Sequence, residues 1–159
     1  MTLAFDAATG RGADGDIRYL IIRADGLMQT FAQLPEVHRF PALQALATSV
    51  RRHGADSLRY YQRQESLDSA ALLELVARIA GTLGWGRWTF DAKTDGSLAL
   101  LVKDSPFAVG YGGCHTPVCY PILGMFGAVA EIVVGAPGVV EETQCSATGA
   151  DLCRFSLVR

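Results

Sequence analysis

Apolar positions recur along the chain with two different periods. Between residues 68 and 84 the period is helical: Leu72, Leu75, Val76, Ile79 and Leu83 form one stripe. Asp68 stands where an N-cap belongs, and Gly84 stands where a helix ends. A second helix is predicted from Pro41, whose missing N–H costs nothing in a first turn, with Leu43, Leu46, Ala47 and Val50 facing the core. Gly54 interrupts this pattern before Ala55, Leu58 and Tyr61 resume it, which predicts a break or bend there. A shorter helix carrying Leu27, Met28 and Phe31, capped by Asp25, is expected to end near Pro35.

Strand patterns occupy the other segments. The apolar run 17–22 predicts a first strand, and 87–92 alternates in strand fashion. Asp95-Gly96 is a hairpin signal, and the return strand 97–103 is apolar enough to be covered on both faces. Residues 104–117, rich in glycine and with two prolines, read as a loop. A buried helix follows from about Val118, then a turn at 135–138. The last segment, 138–159, is two short apolar runs around a small-residue turn, a closing hairpin. Residues 1–15, rich in Ala, Gly and Asp, are expected to form a loose arm, and 16–159 a single domain. The sum is an α+β domain with a mostly antiparallel sheet packed with helices.

Composition sharpens this picture. Half of the 159 residues are hydrophobic and the mean hydropathy is +0.22, an excess that points to an internal pocket or a second subunit. A net charge of −2 and a pI near 5.9 argue against direct nucleic-acid binding. Arg51, Arg52 and His53 form the one basic cluster and read as a solvated helix face. The apolar run 118–134 is interrupted by Pro121 and Glu131 and falls short of a membrane span. No cationic start with an apolar core opens the chain, so a cytoplasmic location with reduced thiols is expected.

The chemistry concentrates in the closing hairpin. Cys145 and Cys153 lie at the mouth of its turn, Glu142 precedes Cys145 by three positions, and Cys119 opens the last apolar run. Three thiolates and a carboxylate complete the tetrahedral shell that zinc prefers, though buried cysteines without metal are equally familiar in cores. Glu141 rivals Glu142 as the oxygen ligand, and His115, four residues before Cys119, is another candidate; Cys114 is left over as a free thiol. Glu142 and Cys145 are an odd number of positions apart, so a regular strand would point them to opposite faces. Either Cys145 lies past the strand end or a bulge intervenes. N–H donors to the sulfurs are expected from the turn at 147–150.

These residues carry a family resemblance. The order Glu142-Thr143-Gln144-Cys145, Gly149, Cys153-Arg154-Phe155, with Pro117-Val118-Cys119 before a helix containing Gly124 and Gly127, resembles the 4-vinyl-reductase-like, or hydrocarbon-binding, domain family. The Gly84-Trp85-Gly86 and Ser105-Pro106-Phe107-Ala108 stretches are similar too. The likeness runs from about Gly15 onward and is distinctive over the hairpin and the helix before it. It implies the ligand-binding fold shared by nitric oxide signalling and Golgi transport proteins. In the sensor modules of aromatic-responsive transcription activators, which share this domain, one upstream Cys, a Glu and two Cys hold zinc. The resemblance thus implies a structural Zn²⁺ on Cys119, Glu142, Cys145 and Cys153.

Large side chains near the sheet, the loop and the Cys119 helix are Trp88, Phe90, Phe107, Tyr111, Tyr120, Met125 and Phe126, with His115 beside them. Taken singly each is a core residue; the resemblance implies that together they line a site for a small apolar or aromatic ligand. The expected function is then a small-molecule-binding or sensory module, forming a homodimer, with a tetrapyrrole precursor, an aromatic hydrocarbon or an acyl chain as ligand. The alternatives are a vinyl-group reductase or accessory protein of (bacterio)chlorophyll synthesis, and a non-catalytic scaffold. Haem-based nitric oxide sensing through His115 is a weaker fourth. Gly110-Tyr111-Gly112-Gly113 lacks the strand–helix setting of a dinucleotide fingerprint, and no Ser/His/Asp set is readable.

Overall fold

In the computed structural model, residues 3–136 and 138–158 are described, Glu65 by its backbone alone. Met1, Thr2, Pro137 and Arg159, which belong to the expected arm, turn and final strand, lie outside the described residues. The chain runs β1 (Ala4–Asp6), β2 (Arg11–Asp14), β3 (Ile17–Tyr19), α1 (Ala24–Ala32), α2 (Glu36–Glu65) and α3 (Ser69–Thr82). It continues as β4 (Arg87–Ala92), β5 (Leu98–Lys103), α4 (Pro106–Tyr111), α5 (Tyr120–Val134), β6 (Val139–Gln144) and β7 (Cys153–Val158). The expected α+β architecture is present: a four-stranded antiparallel sheet, order β4-β5-β7-β6, packed with helices.

Local chemistry sets most boundaries. The Asp68 carboxylate accepts from the Ala71 N–H at 2.8 Å, a side-chain cap that starts α3. Lys93 and Ser97 close the β4–β5 hairpin, with the Lys93 N–H donating to the Ser97 carbonyl at 2.9 Å. β5 sits between β4 and β7 and is buried on both faces, as its apolar sequence predicts. Phe126 of α5 and Phe155 of β7, both fully buried with ring centroids 6.3 Å apart, join helix to sheet. Removing each such side chain from water is worth roughly 1.5–3 kcal/mol.

Several expectations are corrected. Residues 4–14 are not a loose arm: β1, β2 and β3 form an antiparallel meander. The predicted first strand is shorter than its apolar run, because pairing with β2 ends at Gly12↔Tyr19. Leu20, Ile21 and Ile22 beyond it stand exposed. Arg23, not Asp25, precedes α1; Asp25 lies in the first turn, where its carboxylate binds the Arg23 guanidinium at 2.6 Å and suits the helix dipole.

The break at Gly54 does not occur. α2 is one helix of 30 residues with Pro41 inside it, near an exposed first turn that loses little from one missing hydrogen bond. Gly54 instead makes room: a Cβ there would come within 2.8 Å of Met125 Cε, so the glycine is the notch that receives α5. Gly124 does the same from the other side, since a Cβ would meet the Ala47 carbonyl oxygen at 2.2 Å. The two helices therefore touch backbone to backbone. Residues 104–117 contain α4, started by Ser105 as cap and Pro106 in the first turn, and pinned by burial of Phe107 and Ala108.

Candidate metal centre and cavity

The hairpin β6–β7 brings the chemistry together. Glu142 pairs with Phe155 and Gln144 with Arg154, so Thr143 is the extra residue of a bulge. Cys145 lies one residue past the end of β6, Cys153 opens β7, and Cys119 is the residue before α5. Bulge and strand end together solve the parity problem, placing Glu142 and Cys145 on one side. One ligand atom from each of Cys119, Glu142, Cys145 and Cys153 lies within 4.8 Å of all the others.

The distances suit a tetrahedral ion. Cys119 Sγ is 3.8 Å from Cys145 Sγ and 3.6 Å from Cys153 Sγ. A zinc–sulfur bond of about 2.3 Å gives a tetrahedron with an S–S edge near 3.8 Å. Glu142 points the same way. Its Oε2 accepts the Cys119 N–H at 2.9 Å, while Oε1 is buried with no hydrogen-bond partner. An orphaned buried carboxylate oxygen is costly unless a cation satisfies it.

Protonation in the metal-free cluster is uneven. Hydrogen bonds from Cys119, then Cys145 and Ser146, pull the Cys153 thiol down to about 2. Hydrogen bonding to Cys145 and Cys153, together with burial, pushes Cys119 up. Burial raises the Glu142 carboxyl to about 7. A bound divalent cation reverses this logic by stabilising all four anionic ligands at once.

Supporting contacts come from two serines. Ser105 Oγ lies 3.2 Å from Cys119 Sγ, and the Ser146 N–H and Oγ each lie 3.3 Å from Cys153 Sγ. Donors were expected from the turn at 147–150, but Thr148 and Ala150 N–H groups bond the Cys145 carbonyl instead. Ser105 also caps α4 through the Ala108 N–H, so one buried hydroxyl positions both the helix and the sulfur. With four protein ligands the shell is closed, which suits a structural ion rather than one that activates water.

A half-open cavity of about 240 Å³ lies away from this cluster, between β3, α2, α3 and β4. Its walls are mainly apolar, including Ile17, Val50, Leu58, Val76, Trp85 and Trp88. Tyr61, His53 and Ser57 form one border, shared with a more polar cleft of about 660 Å³.

Residues 98–159 match the family model of the 4-vinyl-reductase (V-4-R) domain, and they hold every candidate metal ligand. The chain carries a 4-vinyl-reductase domain. Solved structures agree in fold. The phenol-responsive sensory domain of the transcription activator PoxR, crystallised with phenol, superposes with a TM-score of 0.80 at 18% identity, covering 98% of this chain and 83% of that one. A trafficking protein particle complex subunit 3 from Naegleria fowleri, covalently bound to palmitic acid, gives 0.54 at 14% identity, covering 84% and 93%. A vinyl-4-reductase family protein from Methanocaldococcus jannaschii gives 0.52 at 13%, covering 85% and 89%. No curated protein matches the chain in sequence.

Within this 4-vinyl-reductase-domain protein the expected ligand-contacting residues divide. Trp88 and Met125 line the cavity. Phe126 and Phe107 are buried in the core, Phe90, Tyr111 and Tyr120 pack against it, and His115 is exposed. His115 and Glu141 stay outside the metal cluster, and so does Cys114, whose thiol donates to the Thr116 carbonyl at 3.1 Å. Sequence reasoning missed the cavity's other walls, Tyr61 and Trp85 among them, because they are gathered from four separate elements. His53, set aside for want of neighbours in sequence, borders the cavity. The family match begins at Leu98, so nearly all of the cavity is built by residues before it.

Proposed function

We propose that this chain is a small-molecule-binding, sensory-type module: an apolar cavity holds the ligand, and a structural zinc on Cys119, Glu142, Cys145 and Cys153 fixes the hairpin to α5. The observation that carries the reading is the cavity walled by Trp85, Trp88, Val76 and Leu58, opening to solvent beside Tyr61. Neighbours in fold that hold phenol and palmitic acid support it. At about 240 Å³ the space lies just below the usual range of roughly 300–1,000 Å³ for ligand sites. One or two rings or a short acyl segment fit; a tetrapyrrole macrocycle does not. Thiolate ligation of zinc suits a reducing compartment, in keeping with a cytoplasmic location. Among the described residues no helix is long and apolar enough to cross a membrane.

The test is titration of the zinc-loaded protein with toluene and naphthalene, followed by tryptophan fluorescence and by native mass spectrometry. Saturable quenching that Trp88→Leu abolishes supports the reading; no saturable binding of either probe rejects it. Pairing with a second copy belongs to the same proposal, because Leu20 and Ile21 are 77% and 81% exposed in one contiguous run. Sedimentation of the protein and of Ile21→Ser tests it, a monomer at all concentrations being the refuting result.

A further inference from the structure

The polar border of the cavity has a definite hydrogen-bond polarity. The Tyr61 hydroxyl donates to Asp14 Oδ2 at 2.5 Å, so its proton is committed away from the cavity and its lone pairs remain. The Tyr19 hydroxyl is hydrogen-bonded with Tyr61 and feels the Asp14 charge. With the Tyr61 proton on Asp14, Tyr19 is the donor in that pair. The Ser57 hydroxyl donates to the His53 carbonyl at 3.1 Å, which spends its proton too. Three hydroxyls at the cavity are therefore acceptors toward a guest. His53 alone can serve either role.

Charge points the same way. The cleft that continues from this border is lined by Asp14, Asp16 and Asp56, with Tyr60 and Gln64 between them. Arg59 is the nearby cation, and it divides itself between Asp56 at 3.6 Å and Glu131 at 3.2 Å. An oily interior thus opens into an acceptor-lined, net-negative mouth. We infer that the ligand is an amphipathic amine, an apolar ring seated against Trp88 with an ammonium-bearing arm directed into the Asp14–Asp16–Asp56 cleft, and that carboxylates are excluded. This rests on the apolar-cavity reading above. The head group stays at the solvated mouth, where an ammonium keeps much of its hydration and gains the carboxylate field and the Tyr60 and Tyr61 ring faces. A carboxylate there meets like charge and acceptors without donors.

Four ring probes of similar size separate the possibilities: toluene, benzyl alcohol, benzylamine and phenylacetate, each titrated by calorimetry into zinc-loaded protein. Benzylamine is expected to bind at least about tenfold tighter than phenylacetate, with benzyl alcohol between them. The exposed pair Asp16→Asn with Asp56→Asn should collapse that ratio while leaving toluene affinity unchanged, and added salt should shrink it as well. Tyr61→Phe should weaken benzyl alcohol and spare toluene. Equal or tighter binding of phenylacetate overturns the inference and leaves the cavity standing. An amine preference indifferent to both salt and the double substitution overturns the assignment to the acidic mouth. If toluene fails with all the others, the cavity reading falls and takes this inference with it.

Discussion

The backbone N–H of Cys119 donates to Oε2 of Glu142 at 2.9 Å, joining residues 23 positions apart. That bond seats the start of α5 against the bulge of β6 and leaves the second carboxylate oxygen buried without a partner. The same two residues thereby fix the geometry of the cluster and leave it in need of a cation.

Cys145→Ser and Cys153→Ser each remove one of three sulfurs, so metal content measured by native mass spectrometry should fall to zero. The melting temperature should fall with it, because structural-metal binding energy is folding energy. Cys114→Ser, whose thiol bonds only within its loop at 3.1 Å, should retain the metal and melt within a degree or two of the parent.

Ser105→Ala tests a supporting contact. It deletes the hydroxyl 3.2 Å from Cys119 Sγ and the cap of α4. Zinc affinity, measured by chelator competition, should drop about 10–100-fold. Urea unfolding of the metal-free protein should report a further loss of about 1 kcal/mol from the missing cap.

Glu142 sets a pH dependence. Its carboxyl, raised by burial to about 7, must release its proton before the metal is bound. Below that pH the proton competes, and zinc affinity should fall by about one additional factor of ten per pH unit. The extra slope should vanish in Glu142→Gln. Stability of the metal-free protein runs the other way. The folded form holds this proton more tightly than the unfolded chain, so the contribution is present below the unfolded value of 4.5 and lost as pH rises through about 7. Denaturant midpoints across that window, compared with those of Glu142→Gln, provide the check.

Gly124→Ala places a methyl 2.2 Å from the Ala47 carbonyl oxygen and should destabilise by about 1–3 kcal/mol through separation of α2 and α5. Gly81→Ala, in α3 with nothing within 4 Å of the new methyl, should stabilise by about 0.5–1 kcal/mol. Urea midpoints of opposite sign distinguish packing from helix propensity.

Where a signal is local, the sequence carries it. Asp68 announces α3, Asp95-Gly96 the β4–β5 hairpin, and the odd spacing of Glu142 and Cys145 the bulge at Thr143. α4 escaped notice because its glycines outweighed Ser105-Pro106, the cap and first-turn proline that start it. Gly54 misled for the opposite reason: a residue that breaks isolated helices here serves a neighbour, Met125, which no window along α2 contains. The cavity was illegible because Ile17, Tyr61, Val76 and Trp88 meet only after four elements assemble. The pairing of Tyr61 with Asp14, 47 positions apart, is long-range in the same sense.

β7 comes after β4, β5 and β6 in chain order and yet lies inside their sheet, held between β5 and β6. On a ribosome, β4 and β5 can form their hairpin early, but β6 has no neighbour and the sulfur cluster lacks Cys153 until β7 itself emerges. The sheet therefore closes in one late step. Until then β5 presents an open apolar edge, which makes nascent chains of this protein natural clients for a holding chaperone.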